Sequence, residues 1–255
     1  MALTDWRTYL SEFHRTNPGA IHEVLLRSRS GDHNPYRWLA RAVPPSAHRV
    51  LDLACGGGGM VRELESPGRT VVGLDLSDAE LELARQSTSA PLVRADGVRL
   101  PFADGSLDVV TSVLGLLVVQ PLDEVVREVT RVLRPGGALA VIAPSVWLMP
   151  PKELLEVTRL TRVLRSRPQF PNPIERTGVK ALLALLQLRR VEDKREVYYY
   201  AVADRSDAER LVRSLYLPGT EPRRRELAVE HLTTRAERQG PLRIPVGMRR
   251  VVAIK

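Results

Sequence analysis

The feature that most limits what this chain can fold into is the run Val50-Leu-Asp-Leu-Ala-Cys-Gly-Gly-Gly-Gly59. A short apolar stretch is followed at once by consecutive glycines. Such a run reads as a buried strand ending in a tight turn, where bare backbone lets a ligand approach closely. A helix begins again at Met60–Glu65, so the turn joins strand to helix, at the end of the sheet where doubly wound folds bind ligands. Alone, the run is a weak signal. Ala54, Gly56 and Gly59 also fit a degenerate dinucleotide fingerprint, and a plain tight turn explains the glycines equally well.

The neighbouring chain repeats the strand–helix alternation. Thr70–Leu76 reads as a second strand, and Ser77 opens a helix with Glu80 completing a capping box. Pro91–Asp96 is a third strand, and Ser106–Val119 carries a fourth. Leu122–Leu133 has apolar residues at helical spacing. Pro135-Gly-Gly turns the chain into a fifth strand at Ala138–Ala143. This pattern argues for a parallel sheet covered by helices on both faces. Upstream, residues 1–30 look helical with a break at Asn17-Pro-Gly, and Asn34-Pro35 opens a short helix that Pro44-Pro45 ends. Beyond Pro144, a helix over Pro150–Arg167 runs into prolines, and Gly178–Leu188 is an apolar helix. Arg189–Ala203 is a sixth strand, Ser206–Gln239 two helices broken at Pro218-Gly219, and Met248–Lys255 a last short strand. A length of 255 residues suits one such domain. Its expected division is a helical cap over 1–45, a ligand-binding core over 46–144, and a substrate lid with the last two strands over 145–255.

Composition narrows the setting. Aromatic residues make up only 5% of the chain, so aliphatic side chains must fill most of the core. The longest apolar run, Val109–Val119, is too short to cross a bilayer and fits a buried strand. The opening Met1-Ala-Leu-Thr-Asp-Trp shows no basic-then-apolar leader. Cys55, the single cysteine, permits no internal disulfide, so a cytoplasmic location is expected. The net charge of +8 is uneven: residues 1–144 hold 15 Lys and Arg against 17 Asp and Glu, and residues 145–255 hold 23 against 13. Either these arginines decorate a solvated surface, or the C-terminal part faces an anion.

Three carboxylates sharpen the reading of the glycine run. Asp75 closes the second strand, where a carboxylate can accept hydrogen bonds from two ribose hydroxyls. Asp96 closes the third, followed by Gly97, and can accept from an adenine amine. Asp52 precedes the glycines, where a negative charge would welcome a ligand ammonium. S-adenosylmethionine (SAM) carries an ammonium, a sulfonium, a ribose and an adenine, and it has no phosphate for the loop to hold.

Taken in order, Val50-Leu-Asp-Leu-Ala-Cys-Gly-Gly-Gly, Val72-Gly-Leu-Asp-Leu-Ser, Arg94-Ala-Asp-Gly with Leu100-Pro-Phe-Ala-Asp-Gly-Ser-Leu-Asp-Val-Val, and Arg131-Val-Leu-Arg-Pro-Gly-Gly-Ala-Leu resemble the motif set of class I SAM-dependent methyltransferases. The texture is that of the ubiquinone/menaquinone C-methyltransferase-like branch of small-molecule methyltransferases, and it covers roughly residues 48–144. The resemblance implies a Rossmann-like doubly wound α/β fold: a seven-stranded, mostly parallel sheet of order 3-2-1-4-5-7-6 with helical lid insertions. It places Ala54, Gly56 and Gly58 at the family's loop glycines; alanine at the first is tolerable if its φ is negative. It implies a ribose site at Asp75 and Leu76, an adenine site at Asp96 and Gly97, a cofactor wall at Val113, and a packing role for Cys55 beside the loop. It puts Leu116-Leu117 where the branch often carries a His-His pair, so a histidine base on that scaffold position is not implied.

Other residues carry less. No histidine pair has zinc-ligand spacing with a cysteine, so no metal site is expected. His14 and His33 are candidate bases only because they lie in the N-terminal segment; surface or helix-end roles explain them as well. Asp104, Asp108 and Asp123 read as loop caps, Tyr198–Tyr200 as sheet surface, and Arg223-Arg-Arg as a solvated helix face. The expected function is methyl transfer from SAM to O, N or C of a small molecule, acidic if the C-terminal cations face it. An RNA or protein methyltransferase, or a SAM-binding protein that transfers no methyl, are the alternatives. No membrane partner is indicated, no nucleic-acid module is visible, and a homodimer is left open.

Overall fold

The computed structural model describes residues 5–147, 149–172 and 188–255. Its strands are β1 (Arg49–Leu53), β2 (Thr70–Asp75), β3 (Leu92–Arg94), β4 (Leu107–Val113), β5 (Leu133–Pro144), β6 (Arg189–Val202) and β7 (Leu242–Ile254). They form one sheet of order β3-β2-β1-β4-β5-β7-β6. The first five are parallel, and β7 runs antiparallel between β5 and β6. The expected strand order is therefore the observed one. The helices are α1 (Trp6–Thr16), α2 (Ala20–Arg27), α3 (Pro35–Ala40), α4 (Gly59–Leu64), α5 (Asp78–Ser87), α6 (Leu122–Val132), α7 (Pro151–Leu164), α8 (Arg205–Arg213) and α9 (Pro222–Gln239).

Strand alternation sorts the core into two layers. Leu51 and Leu53 of β1 join Val110 of β4 and the buried stripe Val125, Val126, Val129 and Val132 of α6. Val50 and Val109 face the other way, onto Met60, Val61 and Leu64 of α4 and onto Trp38 and Leu39 of α3. A third cluster lies farther along the chain, where Leu211, Val212, Leu232 and Ala236 of α8 and α9 pack on Tyr200, Val202 and Ile244. Tyr198 and Tyr200 are fully buried on one face of β6, not on the sheet surface as the sequence suggested. Only Tyr199 points the other way, donating to Glu153 at 2.8 Å.

Several boundaries differ from expectation for local reasons. Val109–Val119 is not one strand. β4 stops at Val113, Leu114 turns with φ +62, and Gly115–Leu117 forms a 3-10 turn. A Cβ on Gly115 would lie 2.5 Å from Ser112 Oγ and 2.6 Å from Ala54 Cβ, so the turn after β4 closes against the turn after β1. β7 begins at Leu242, six residues before the expected Met248. Pro245 and Gly247 look like breakers, yet the Leu242–Gly247 part pairs with β6 alone, and β5 joins only from Met248 onward. A proline is tolerated where one side of the ladder is open. β5 starts at Leu133 and absorbs the Pro135-Gly-Gly turn as an irregularity, with Gly136 at φ +74. The helix expected over Gly178–Leu188 lies almost wholly outside the described residues.

Asp108 does more than cap a loop. Its Oδ2 accepts from the backbone N–H of His48 at 2.9 Å and Arg49 at 2.8 Å, and its Oδ1 accepts from Arg134 Nε at 2.6 Å. This ties the start of β1 to β4 and to β5. Burial works to raise its pKa, but the Arg134 guanidinium and the two N–H groups prevail and hold it at about 2. A folded pKa below the unfolded value stabilises the fold above the unfolded pKa, and that contribution fades as pH falls toward the folded one. Asp108→Asn should therefore cost about 2 kcal/mol in urea unfolding near pH 7, with the gap to the parent closing between about pH 4 and pH 2. A gap of the same size at both ends of that range would contradict the account.

Candidate active site

The turn after β1 is built from left-handed residues. Ala54 has φ +55, Gly56 φ +51 and Gly58 φ +79. The negative φ that would make alanine at this position easy is thus not met, and a left-handed alanine costs about 1 kcal/mol. The reversal lets Cys55 N donate to Leu74 O at 3.0 Å and Gly56 N donate to Asp75 Oδ2 at 2.8 Å. Gly58 has its own reason: a Cβ there would meet Ser87 Oγ at 2.9 Å and Ala84 at 3.1 Å, so it allows α4 to start against α5.

A cavity of about 440 Å³ opens over this turn, at the carboxyl ends of the parallel strands. Asp52, Ala54, Cys55, Gly56, Asp75, Leu76, Asp96, Gly97 and Val113 all line it, so residues spread over sixty positions of sequence converge on one wall. Gly58 does not line it; its role is helix packing. Leu76 is 59% exposed, an apolar side chain laid open inside the cavity mouth beside Asp75. Asp75 Oδ1 also accepts from Ser77 N at 2.9 Å. Both its oxygens are thus held from the protein side, and each keeps lone-pair capacity for a ligand donor. Asp96 Oδ1 accepts from Val98 N at 3.2 Å. Asp52 is 1% exposed and accepts from Thr111 Oγ1 at 2.8 Å. Burial pushes its carboxyl up to about 7, opposed by the Thr111 hydrogen bond and assisted by the negative Asp75. Asp75 is raised too, mainly by burial, against the Ser77 and Gly56 N–H groups. The Cys55 thiol is pushed well up by burial and the neighbouring carboxylates, which suits packing and not nucleophilic attack.

The cavity is capped by α1, α2 and Tyr216. His14 on α1 lies with Nδ1 2.8 Å from Glu80 Oε1 and Nε2 2.9 Å from the Tyr216 hydroxyl. A carboxylate only accepts, so Nδ1 donates to Glu80, while Nε2 shares a hydrogen bond with the Tyr216 hydroxyl. Glu80 also accepts from Gly19 N, which opens α2. The expected capping box is therefore half made. Ser77 Oγ accepts from Glu80 N, but the Glu80 carboxylate turns away to hold the N-terminal helices. His22 and Tyr36, joined at 3.1 Å, cover the backbone of Gly57 and Gly59, and burial lowers the His22 pKa.

Other candidates fall away from the cavity. His33 does not line it; its Nε2 lies 3.0 Å from Glu196 and its ring meets Tyr198 edge-on. Leu116 and Leu117 point into the core, and Val118, Val119 and Gln120 reach the cavity instead. Among the described residues, none of the arginines and lysines of 145–255 lines the cavity; Arg7 of α1 does. The described C-terminal cations therefore do not face this cavity. Many are neutralised locally, as in Arg249 on Asp193 at 2.7 Å and Arg235 on Glu156 at 2.8 Å.

Comparison with known proteins agrees with this geometry. Residues 51–141 match the methyltransferase domain family. A malonyl-[acyl-carrier protein] O-methyltransferase from Enterobacter lignolyticus is 31% identical over 188 residues, covering 73% of this chain and 71% of that protein. The chain belongs to the methyltransferase family. A demethylmenaquinone methyltransferase from Corynebacterium kroppenstedtii is 37% identical over 124 residues, or 49% of this chain and 54% of that protein, so the chain spans about half the length of that relative. The solved structure of the [4+2]-cyclase SpnF superposes with a TM-score of 0.58 at 16% identity, covering 100% of this chain and 97% of that one, and shares the fold.

The capping cluster of this methyltransferase-family chain hangs on one carboxylate. Glu80→Ala leaves the Gly19 N–H and His14 Nδ1 without their acceptor, which should cost about 1–3 kcal/mol. Because the loss is local, amide hydrogen exchange over residues 6–27 should quicken more than exchange in β1 and β4. Uniform quickening across the sheet would argue against a local cap.

Proposed function

We propose that the chain is a SAM-dependent methyltransferase acting on a small molecule, with SAM in the cavity over the β1 turn. The observation that carries this reading is the placing of three carboxylates along one wall. Asp52, Asp75 and Asp96, from the ends of β1, β2 and the chain after β3, all line the cavity, which supports their meeting an ammonium, a ribose and an adenine respectively. Asp52 is buried and Asp75 partly buried, both with raised pKa values, and Arg7 is the one arginine or lysine among the described lining residues, so the lining favours a cationic ligand. Gly56 brings bare backbone to the ligand, Leu76 offers an apolar face to the base, and Val113 closes the floor.

When bound, SAM supplies a methyl already made electrophilic by its sulfonium. The chain's own work is to bind, align and keep water out. Asp52 sits opposite the amino-acid end. Its Thr111 hydrogen bond fixes which oxygen faces the ligand. The cluster of His14, Glu80 and Tyr216 holds α1 and α2 over the cavity. Both ring nitrogens of His14 are engaged in that cluster, so His14 acts as a clamp, and alignment and desolvation carry most of the rate. The acceptor is oriented by the segments that line the rest of the cavity, α1 with Arg7 and Val118–Gln120 after β4. Arg7 suits an acceptor bearing a carboxylate or phosphate.

Four measurements test this. Asp75→Ala should weaken SAM binding by about thirtyfold or more in calorimetric titration, since charge-assisted bonds to two hydroxyls are worth roughly 2–4 kcal/mol together; unchanged affinity would remove the ribose assignment. For Asp52 the sign runs from protonation to binding. Its free carboxyl titrates near 7, and a cationic ligand needs the carboxylate. SAM affinity should then fall as pH drops from about 7 to about 5, approaching tenfold per unit, and Asp52→Asn should flatten that slope. Formation of S-adenosylhomocysteine with a small-molecule acceptor separates methyl transfer from SAM binding alone, and His14→Ala should keep turnover within about a hundredfold of the parent, less than loss of a dedicated base.

A further inference from the structure

The excess positive charge of the C-terminal part does not reach the cavity, yet it is not scattered. A separate groove of about 670 Å³ lies between α7 and α9. Arg224, His231, Arg235 and Arg238 reach it from α9, and Arg162 and Arg165 from the end of α7. The α9 residues recur at seven, four and three positions, which places them on one helix face along about 21 Å. Arg235 at the inner edge is neutralised by both oxygens of Glu156. Arg162, Arg165, Arg224 and Arg238 make no ion pair among the described residues. Glu230 is the one acid among the groove's lining residues. His231 Nε2 is shielded from water and has no hydrogen-bond partner in the described structure.

Like charges gathered without partners repel one another, and an anionic occupant relieves that cost. The groove also carries Val163 and Leu227 among its cations, and no Phe, Tyr or Trp lines it. Single-stranded nucleic acid is gripped by aromatic stacking beside the basic track, which this surface lacks. Apolar side chains between rows of arginine suit a helix with an acidic face and an apolar edge, the helix-in-groove mode of recognition.

We propose that the α7–α9 groove is the docking site for an acidic amphipathic helix of a protein partner, separate from the cavity under α1 and α2. The arginines at the rim meet carboxylates, and Val163 and Leu227 receive the apolar edge. The groove also adjoins the cavity's cover through the chain itself. Residues after α7 lead to Asn172, whose side chain donates to Val119 O at 2.6 Å, and Val119 lines the cavity. Arg225, in the first turn of α9, donates to Leu217 O at 2.7 Å, next to the capping Tyr216.

The test uses the full chain and a fluorescent synthetic helix of about 14 residues, glutamate on one face and leucine along one edge, long enough to span the groove. Anisotropy titration should show binding that weakens with added salt. The double variant Arg224→Glu/Arg238→Glu should weaken it by about tenfold or more, whereas Arg213→Glu, an exposed cation on α8, should leave it within about twofold. Replacing the peptide's leucines by alanine should also weaken binding. SAM titration and thermal melting confirm that each variant is folded, and Arg162→Glu serves if the double variant is not. Three results overturn the proposal: no binding of the peptide, equal binding by parent and charge-reversed chain, or a single-stranded RNA of matched charge binding as tightly as the peptide.

Discussion

Asp75 is the residue on which the architecture of the site turns. One carboxylate at the end of β2 accepts from Gly56 N across the neighbouring turn and from Ser77 N ahead of α5. Those two bonds fix the left-handed course of the β1 turn relative to the start of α5. Everything that lines the cavity on that side follows from this fixed relation. Glu80, one turn into α5, can hold α1 and α2 only because the helix starts in the right place, and Leu76 is exposed because the chain must pass from strand to helix there.

The same arrangement carries an electrostatic cost. Asp52 and Asp75 share a wall with the buried Glu80, and the first two have pKa values raised chiefly by burial. A carboxyl whose folded pKa lies above its unfolded value contributes less to stability as pH rises through that interval. Near neutral pH the apo fold therefore holds charges it would be more stable without. Natural folds keep such strain where a ligand relieves it. The left-handed Ala54 belongs with these carboxylates, since its conformation brings the Gly56 N–H onto Asp75.

Most of the scaffold was legible in the sequence because it depends on local pattern. Buried parallel strands leave apolar runs, and the glycine turn and the aspartates that end β1 to β3 stand at fixed points beside them. Asp52, Asp75 and Asp96 needed no long-range information beyond the alternation of strand and helix. The errors came where a residue's meaning depends on a distant neighbour. Val109–Val119 reads as one strand until Gly115 is seen to pack on Ala54. Pro245 reads as a breaker until β7 is seen to lack a second partner there. Glu80 reads as half of a capping box until its carboxylate is seen to hold His14 and Gly19. Tyr216 carries no signal in the sequence, since a tyrosine at the end of a helix that breaks at Pro218-Gly219 looks like any other.

Charge is the clearest case of a property that sequence counts but does not place. The totals for residues 1–144 and 145–255 differ in sign, which fits either a decorated surface or an anion facing the C-terminal part. The fold separates the two questions hidden in that total. Ionic pairs such as Arg249 with Asp193 and Arg250 with Glu192 use part of the excess to join β6 to β7. Another part gathers on α7 and α9, on helices that build no wall of the cavity among the described residues. The cavity itself is left acidic, with Arg7 contributed from the N-terminal side. Opposite potentials on separate surfaces of one domain let a cationic ligand and an anionic partner be attracted at once without competing for the same groups.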